Sequence, residues 1–166
     1  MPFDRRLIQE RTLAYRAMRE YTGQVGQDLA WFRFNPNLTT SHPVYDVGPQ
    51  RVWYNPVTVP ALIGQYIRPS KNLDADGLYL AAQAHGTISY EAFVASGIPD
   101  PDPSEENHLN DRVGFDGHLF TVMEFTPVGR VASAFLTIAF VLHEVDRAIY
   151  EEDAAVPMFA PYITAV

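Results

Sequence analysis

The sequence predicts a mainly β protein: a small antiparallel β-barrel with an N-terminal α-helix, a short internal helix and an extended C-terminal tail. Three observations carry this. Asp111–Arg130 (DRVGFDGHLFTVMEFTPVGR) joins two short apolar runs through Asp116-Gly117, then leads to a second Gly turn at Pro127-Val128-Gly129. Asp-Gly between such runs is a strong hairpin signal, because a two-residue turn needs positive φ at both central positions. In a strand over Ala134–Val145, Phe135, Thr137, Ala139, Val141 and His143 would share one face and Leu136, Ile138, Phe140, Leu142 and Glu144 the other. Both faces are largely apolar, as in a central strand or one with a face against a partner. Finally, Val44–Val47 and Arg51–Tyr54 flank Gly48-Pro49 in a strand, turn, strand order.

The remaining elements follow from local chemistry. Asp4 can cap a helix running to about Tyr21 or Gln24, with Leu7, Ala14, Met18 and Tyr21 on one face, widened by Leu13 and Ala17. Gly23 and Gly26 are its candidate stops. Leu29–Phe34 reads as a strand and residues 35–43 as a loop. Val57–Ile67 is a strand interrupted by Pro60 and Gly64, the pattern of an edge or a bulge. Ser89 can cap a short helix over Tyr90–Ala95 that Gly97 closes. Residues 98–110 (IPDPDPSEENHLN) should be an exposed loop. The tail from Ala154, with Pro157 and Pro161, reads as extended. This divides the chain into a helical arm (1–26), a barrel domain (27–150) and a tail (151–166), with structural turns at Gly48, Gly117 and Gly129.

A chain of 166 residues suits one domain with an appended arm, and 47% hydrophobic residues suffice for a sizeable core. It has no apolar run long enough for a membrane span and no apolar signal segment near its start. Cysteine is absent, which excludes disulfide staples and thiolate chemistry. The formal charge of −8 is unevenly placed: residues 1–20 hold five Arg against three acidic residues, while the other 146 hold seven basic and seventeen acidic side chains. Such a body has no footprint for tight phosphate binding, although an acidic surface can line a channel through which DNA slides.

No spacing points to catalysis. His143-Glu144 lacks the second histidine of a zinc-protease helix and falls in a strand-like segment. Asp74, Asp76 and Gly77, and the alternating acids after Asp100, each lack part of a calcium loop. His85, His108 and His118 are separated by unrelated loops, no Ser or Thr occupies a nucleophile elbow, and no Gly-rich phosphate loop is present. Trp31, Phe32, Phe34, Trp53 and Tyr54 have only Arg33 and Arg51 beside them, so core and subunit-interface packing suits these rings better than base stacking. The reading is a non-enzyme with no catalytic residue, cofactor or metal; an enzyme, the alternative that spacing leaves open, would require a compact polar cluster around His85, His108, His118 or His143.

From Tyr45 to Val145 the arrangement resembles the head-to-tail stopper (head-closure) proteins of long-tailed phages, particularly those of actinobacteria. The matching pieces are VYDVGPQRVWYNPVTVPALIG at Val44–Gly64, the helical turn at Tyr90–Gly97, DRVGFDGHLFTVMEFTPVGR, and the final strand near Thr137–Val145. The sharpest part is Asp111-Arg112-Val113 with Phe115-Asp116-Gly117, Phe120 and Val122. The resemblance implies a virion protein of the neck, assembled as a ring of six between the portal-bound adaptor and the tail terminator or tail tube. Packaged double-stranded DNA would pass through the lumen without sequence-specific binding, gated by loops; 69–77 and 98–110 both remain open for that role. The arm and tail are additions to the simplest barrels and leave the adaptor or tail-terminator ring of the same connector as alternatives. A ligand- or peptide-binding barrel, with one apolar pocket, is a further alternative. A ring needs two unlike surfaces on each subunit, and an Arg-bearing helix on an acidic body supplies them. The expected interface residues are Arg11, Arg16, Arg19, Trp53 and Phe140.

Overall fold

The structure, a computed structural model, describes residues 5–39, 51–67, 82–99, 101–102, 105–131, 134–145 and 156–163. Helix α1 (Arg5–Val25) precedes strands β1 (Gln27–Phe32), β2 (Val57–Ile67) and β3 (Gln83–Ser89). The short helices α2 (Tyr90–Ala95) and α3 (Glu105–His108) come next, then β4 (Arg112–Phe115), β5 (His118–Val131) and β6 (Ala134–Glu144). The strands close into an antiparallel barrel in the order β1-β2-β3-β6-β5-β4. Its predicted class is therefore the observed one.

The Asp-Gly hairpin forms as expected. Phe115 pairs with His118, and Asp116 (φ 50°) and Gly117 (φ 76°) both take positive φ, the signature of a type I′ turn whose twist matches the strands. Gly64 lies at the register shift between Ile63 and Gln65 on β2, the expected bulge. β6 is central, paired with β3 from Gln83↔His143 to Ser89↔Thr137 and with β5 along its whole length. The expected strand forms, with Ile138, Phe140 and Leu142 of one face all buried.

Gly129 departs from expectation. It keeps a positive φ of 68° but lies within the β5–β6 ladder, between the pairs Val128↔Thr137 and Arg130↔Phe135, and the hairpin continues to Val131↔Ala134. A glycine with positive φ fits an irregular position in a strand as well as a turn, so the reversal comes later than the residue type indicated. Of the strand pair expected around Gly48, residues 44–47 and Gly48 itself fall outside the described residues. Arg51–Tyr54 contributes only an isolated bridge, Phe34↔Trp53.

The barrel is filled. Leu29, Trp31, Val59, Ile88, Phe93, Val113, Phe120, Val122, Phe125, Ile138 and Leu142 are fully buried in one cluster. Trp31 is its hub, meeting Phe93, Phe125 and Phe140 edge to face at centroid distances of 5.5, 5.8 and 6.3 Å. Burying each large apolar side chain is worth about 1.5–3 kcal/mol, and such ring pairs add about 0.5–1.5 kcal/mol. A second cluster, Phe32, Trp53, Leu119, Val145 and Phe159, seals the barrel on the β1, β4 and β5 side. Phe159 belongs to a 3-10 helix over Pro157–Tyr162, so this part of the tail is not extended. Its ring packs on Phe32 at 4.9 Å and Trp53 at 5.1 Å, burial that an extended peptide would forgo. Gly114 makes room for the neighbouring Tyr162, since a Cβ there would lie 2.6 Å from the tyrosine ring.

α2 begins after Ser89 as expected, yet the Ser89 hydroxyl does not cap it: the side chain is buried, and its Oγ has no hydrogen-bond partner among the described residues. The helix closes through Ser96, whose Oγ and N both donate to the Phe93 carbonyl, at 2.6 and 3.3 Å. No helix among the described residues is long and apolar enough to cross a membrane.

Two substitutions test this description. Gly117→Val should cost about 1–2 kcal/mol, because a β-branched residue resists the left-handed region; an unchanged urea midpoint would contradict the turn. Ser89→Ala removes a buried hydroxyl that satisfies nothing, so the melting temperature should hold or rise. A clear fall would mean that the hydroxyl has a partner.

Candidate interaction surface and its buried anchor

α1 lies across β2, β3 and β6 on the outside of the barrel. The positions less than fully exposed, Arg11, Ala14, Tyr15, Met18 and Thr22, recur at helical spacing and define the inward face. Only Thr22 is fully covered. Tyr15 Oη donates to the Phe135 carbonyl at 2.7 Å and tethers the helix to β6. Burial pushes the Tyr15 phenol up from its ordinary value, with the Arg11 guanidinium pulling it the other way. A raised phenol stays a neutral donor below its ordinary titration range, and the tether is lost only as pH rises through the higher folded value.

Of the helix face expected from sequence, Ala14 and Met18 turn toward the barrel. Leu13 and Tyr21, placed inward by their spacing, are 66% and 56% exposed. The sequence offers apolar residues on more than one flank, and the contact with the barrel selects the flank carrying Ala14 and Met18. The helix also runs through Gly23 and stops at Gly26, whose N–H donates to the Thr22 carbonyl at 2.8 Å. A Cβ at Gly26 would lie 2.8 Å from the Ala61 carbonyl oxygen, so the crossing of arm and barrel requires glycine.

Between α1 and α2 runs a surface groove of about 340 Å³ lined by Arg11, Thr12, Tyr15, Arg16, Arg19 and Glu91. Arg16 Nε donates to Glu20 Oε1 at 2.9 Å, an exposed pair one helical turn apart that holds little energy. Arg11 and Arg19 have no ion-pair partner among the described residues. Three guanidinium groups against the Glu91 carboxylate make the groove basic on an otherwise acidic chain. The three arginines named from sequence are thus brought together on one surface. Trp53 and Phe140 are not: they are 4% and 2% exposed inside the subunit's own core and offer no surface to a neighbour. Spacing alone could not separate a ring that packs inward from one that packs on another chain.

Beneath the barrel wall lies a polar cluster that the sequence reading did not assemble. Asp111 is fully buried and accepts four hydrogen bonds. Trp31 Nε1 donates to it at 2.8 Å, the Phe34 backbone N–H at 2.8 Å and Arg33 Nη1 at 3.1 Å. The fourth contact is His108 Nδ1 at 2.8 Å. His108 Nε2 faces the Asp102 carbonyl at 2.5 Å, and Arg33 Nη1 also donates to the Asn107 carbonyl. Both imidazole nitrogens therefore face oxygen atoms. The described part of the 98–110 segment is accordingly anchored rather than simply exposed: Ile98 and His108 are buried and α3 lies on β5. The i, i+3 spacing of His108 and Asp111 was the one visible hint.

The other histidines among the described residues stay apart from this cluster. His118 Nδ1 meets Glu144 Oε1 at 3.0 Å, while Glu144 Oε2 accepts the Ala82 N–H at 3.1 Å. His143 lies on strand β6, as expected, and among the described residues no group of three His, Asp or Glu could hold a metal ion. Residues 69–77 fall outside the described residues. Asp111→Asn should cost about 3–5 kcal/mol, because it leaves the Arg33 charge buried without its partner. Urea unfolding would measure this, and a loss below about 1 kcal/mol, the scale of one ordinary hydrogen bond, would remove the carboxylate from its central place.

The sequence matches no protein-family model and no curated protein. Among solved structures it is similar to a chain described as "Virion of native gene transfer agent (GTA) particle", at 9% identity and a TM-score of 0.42, covering 72% of this chain and 94% of that one. A likeness at this level carries no argument about function.

Proposed function

We propose that this chain is a structural subunit of a phage neck, a head-to-tail stopper that forms a ring joining the portal-bound adaptor to the tail and helps retain packaged DNA. The observation that supports it best is the pairing of a filled barrel with two unlike flanks. The α1 flank carries Arg11, Arg16 and Arg19, while the rest of the chain is strongly acidic. Unlike surfaces on one subunit make heterologous contacts, and these close into rings when the rotation permits. A ring of such bodies would line its lumen with acidic surface, over which DNA could slide without adhering.

The same observation bears on the alternatives. A ligand-binding barrel needs an interior cavity, whereas this interior is occupied by Trp31, Phe93, Phe120, Phe125 and their fully buried neighbours. The adaptor and tail-terminator readings share the ring and differ in partner, so solution symmetry and partner binding distinguish them. Reversing Arg11, Arg16 and Arg19 together to Glu should abolish assembly while circular dichroism and the melting temperature stay near wild type. Light scattering across a concentration series, alone and with a portal–adaptor ring, measures the first. Rings that persist after the reversal would remove the arginine flank from the contact, whereas a wild-type chain that assembles neither alone nor on a portal–adaptor ring would sink the proposal.

A further inference from the structure

We propose that the free edge of β5 pairs with the same edge of a second copy, antiparallel, about a two-fold axis through Pro127. β4 closes the barrel against only part of this strand. It has four residues and pairs with His118–Thr121, and the Asp111 carbonyl accepts the Val122 N–H at 3.3 Å. From Met123 to Val131 the strand runs on with β6 as its sole strand partner among the described residues. α3 reaches β5 from within, where His108 lies on the buried Phe125 ring at 4.3 Å. On the outside, Glu124, Thr126, Val128 and Arg130 are all exposed. A strand edge of this length presents unpaired backbone donors and acceptors, which template the addition of another strand.

The order of side chains along the edge selects a second copy as the occupant. In an antiparallel pair centred on residue 127, Glu124 stands opposite Arg130 of the second copy, and Arg130 opposite its Glu124. Thr126 and Val128 oppose each other in the same way, and these alternate residues share one face. Opposed Cα atoms in such a ladder lie about 4.5–5.5 Å apart, so the opposite charges meet twice across the axis. Every other antiparallel register of the two edges leaves these charges unmatched. Neither Glu124 nor Arg130 has an ion-pair partner among the described residues, and Arg130 lies over the Phe135 ring at 6.0 Å. A strand of another protein would need a sequence of its own to match this order, whereas a copy of the chain carries the match by symmetry. Pro127 withdraws one donor from each copy, which keeps the pairing reversible. The contact is isologous and therefore separate from the head-to-tail contacts of a ring, so it does not rest on the ring reading. It covers the edge while the subunit is free.

The chain has no cysteine, which permits a direct test on the full-length protein. Thr126→Cys and Val128→Cys variants are mixed under mild oxidation, and the disulfide-linked species are resolved by mass. The mixed dimer should exceed either homodimer by about tenfold, since the pairing holds position 126 opposite 128 and raises the effective thiol concentration. Like positions sit diagonally across the axis, about 7–8 Å apart, a separation that disfavours a disulfide. A random distribution of linked dimers would overturn the proposal. The charges are tested by adding Glu124→Arg to both cysteine variants. The mixed dimer should then fall about tenfold, because like charges oppose each other across the pair. Adding Arg130→Glu as well should restore it, with circular dichroism unchanged throughout. Failure of that restoration would reject the two-fold register.

Discussion

Asp111 sits where three parts of the chain meet, and its single negative charge organises all of them. The carboxylate takes donors from Trp31 and Arg33 and from the backbone of Phe34, all in or just after β1, and faces His108 of α3. Its own residue opens the run into β4. A buried carboxylate is costly unless its acceptor sites are filled, and here the requirement to fill them fixes the positions of the donors. Trp31 is thereby held by its indole N–H at one end while its ring packs on Phe93, Phe125 and Phe140. The core rings are thus oriented by an electrostatic contact and then packed by dispersion and burial. The same contact brings the end of the 98–110 segment onto the barrel, so a polar stretch becomes part of the fold.

With the barrel closed and filled, function moves to the outside. The fold gives one subunit a basic flank at α1 and places the C-terminal segment on the opposite side. These two facts are independent in sequence, separated by more than a hundred residues, and only barrel closure relates them. α1 itself is attached by a narrow inward face and the Tyr15 tether, which leaves Leu13 and Tyr21 exposed beside the charged positions. A helix so lightly covered by its own subunit is suited to sharing its surface with another.

Sequence and structure agree on several local decisions. Asp116-Gly117 had to turn because glycine and aspartate tolerate positive φ, and the apolar run Ala134–Glu144 suited a strand covered on both faces. Gly64 marked a bulge for the same kind of reason. They part where a residue type permits two outcomes. Gly129 takes positive φ inside a strand and not at its end. On α1, Ala14 and Met18 turn inward as expected while Leu13 and Tyr21 stay exposed, and Trp53 and Phe140 entered the core where an interface was expected.

The sequence by itself determined the β class, the hairpin at Asp116-Gly117, the two short-range helices and the uneven charge, because backbone sterics, periodicity and net charge act over a few residues or over the whole chain. Only the tertiary structure decided which residues meet. Asp111 lies 80 positions from Trp31 and 78 from Arg33, and Phe159 closes a cluster begun by Phe32. Those partners are selected by strand order and register, and by the need to pair a buried charge and exclude water from aromatic rings. None of these has a signature in local spacing.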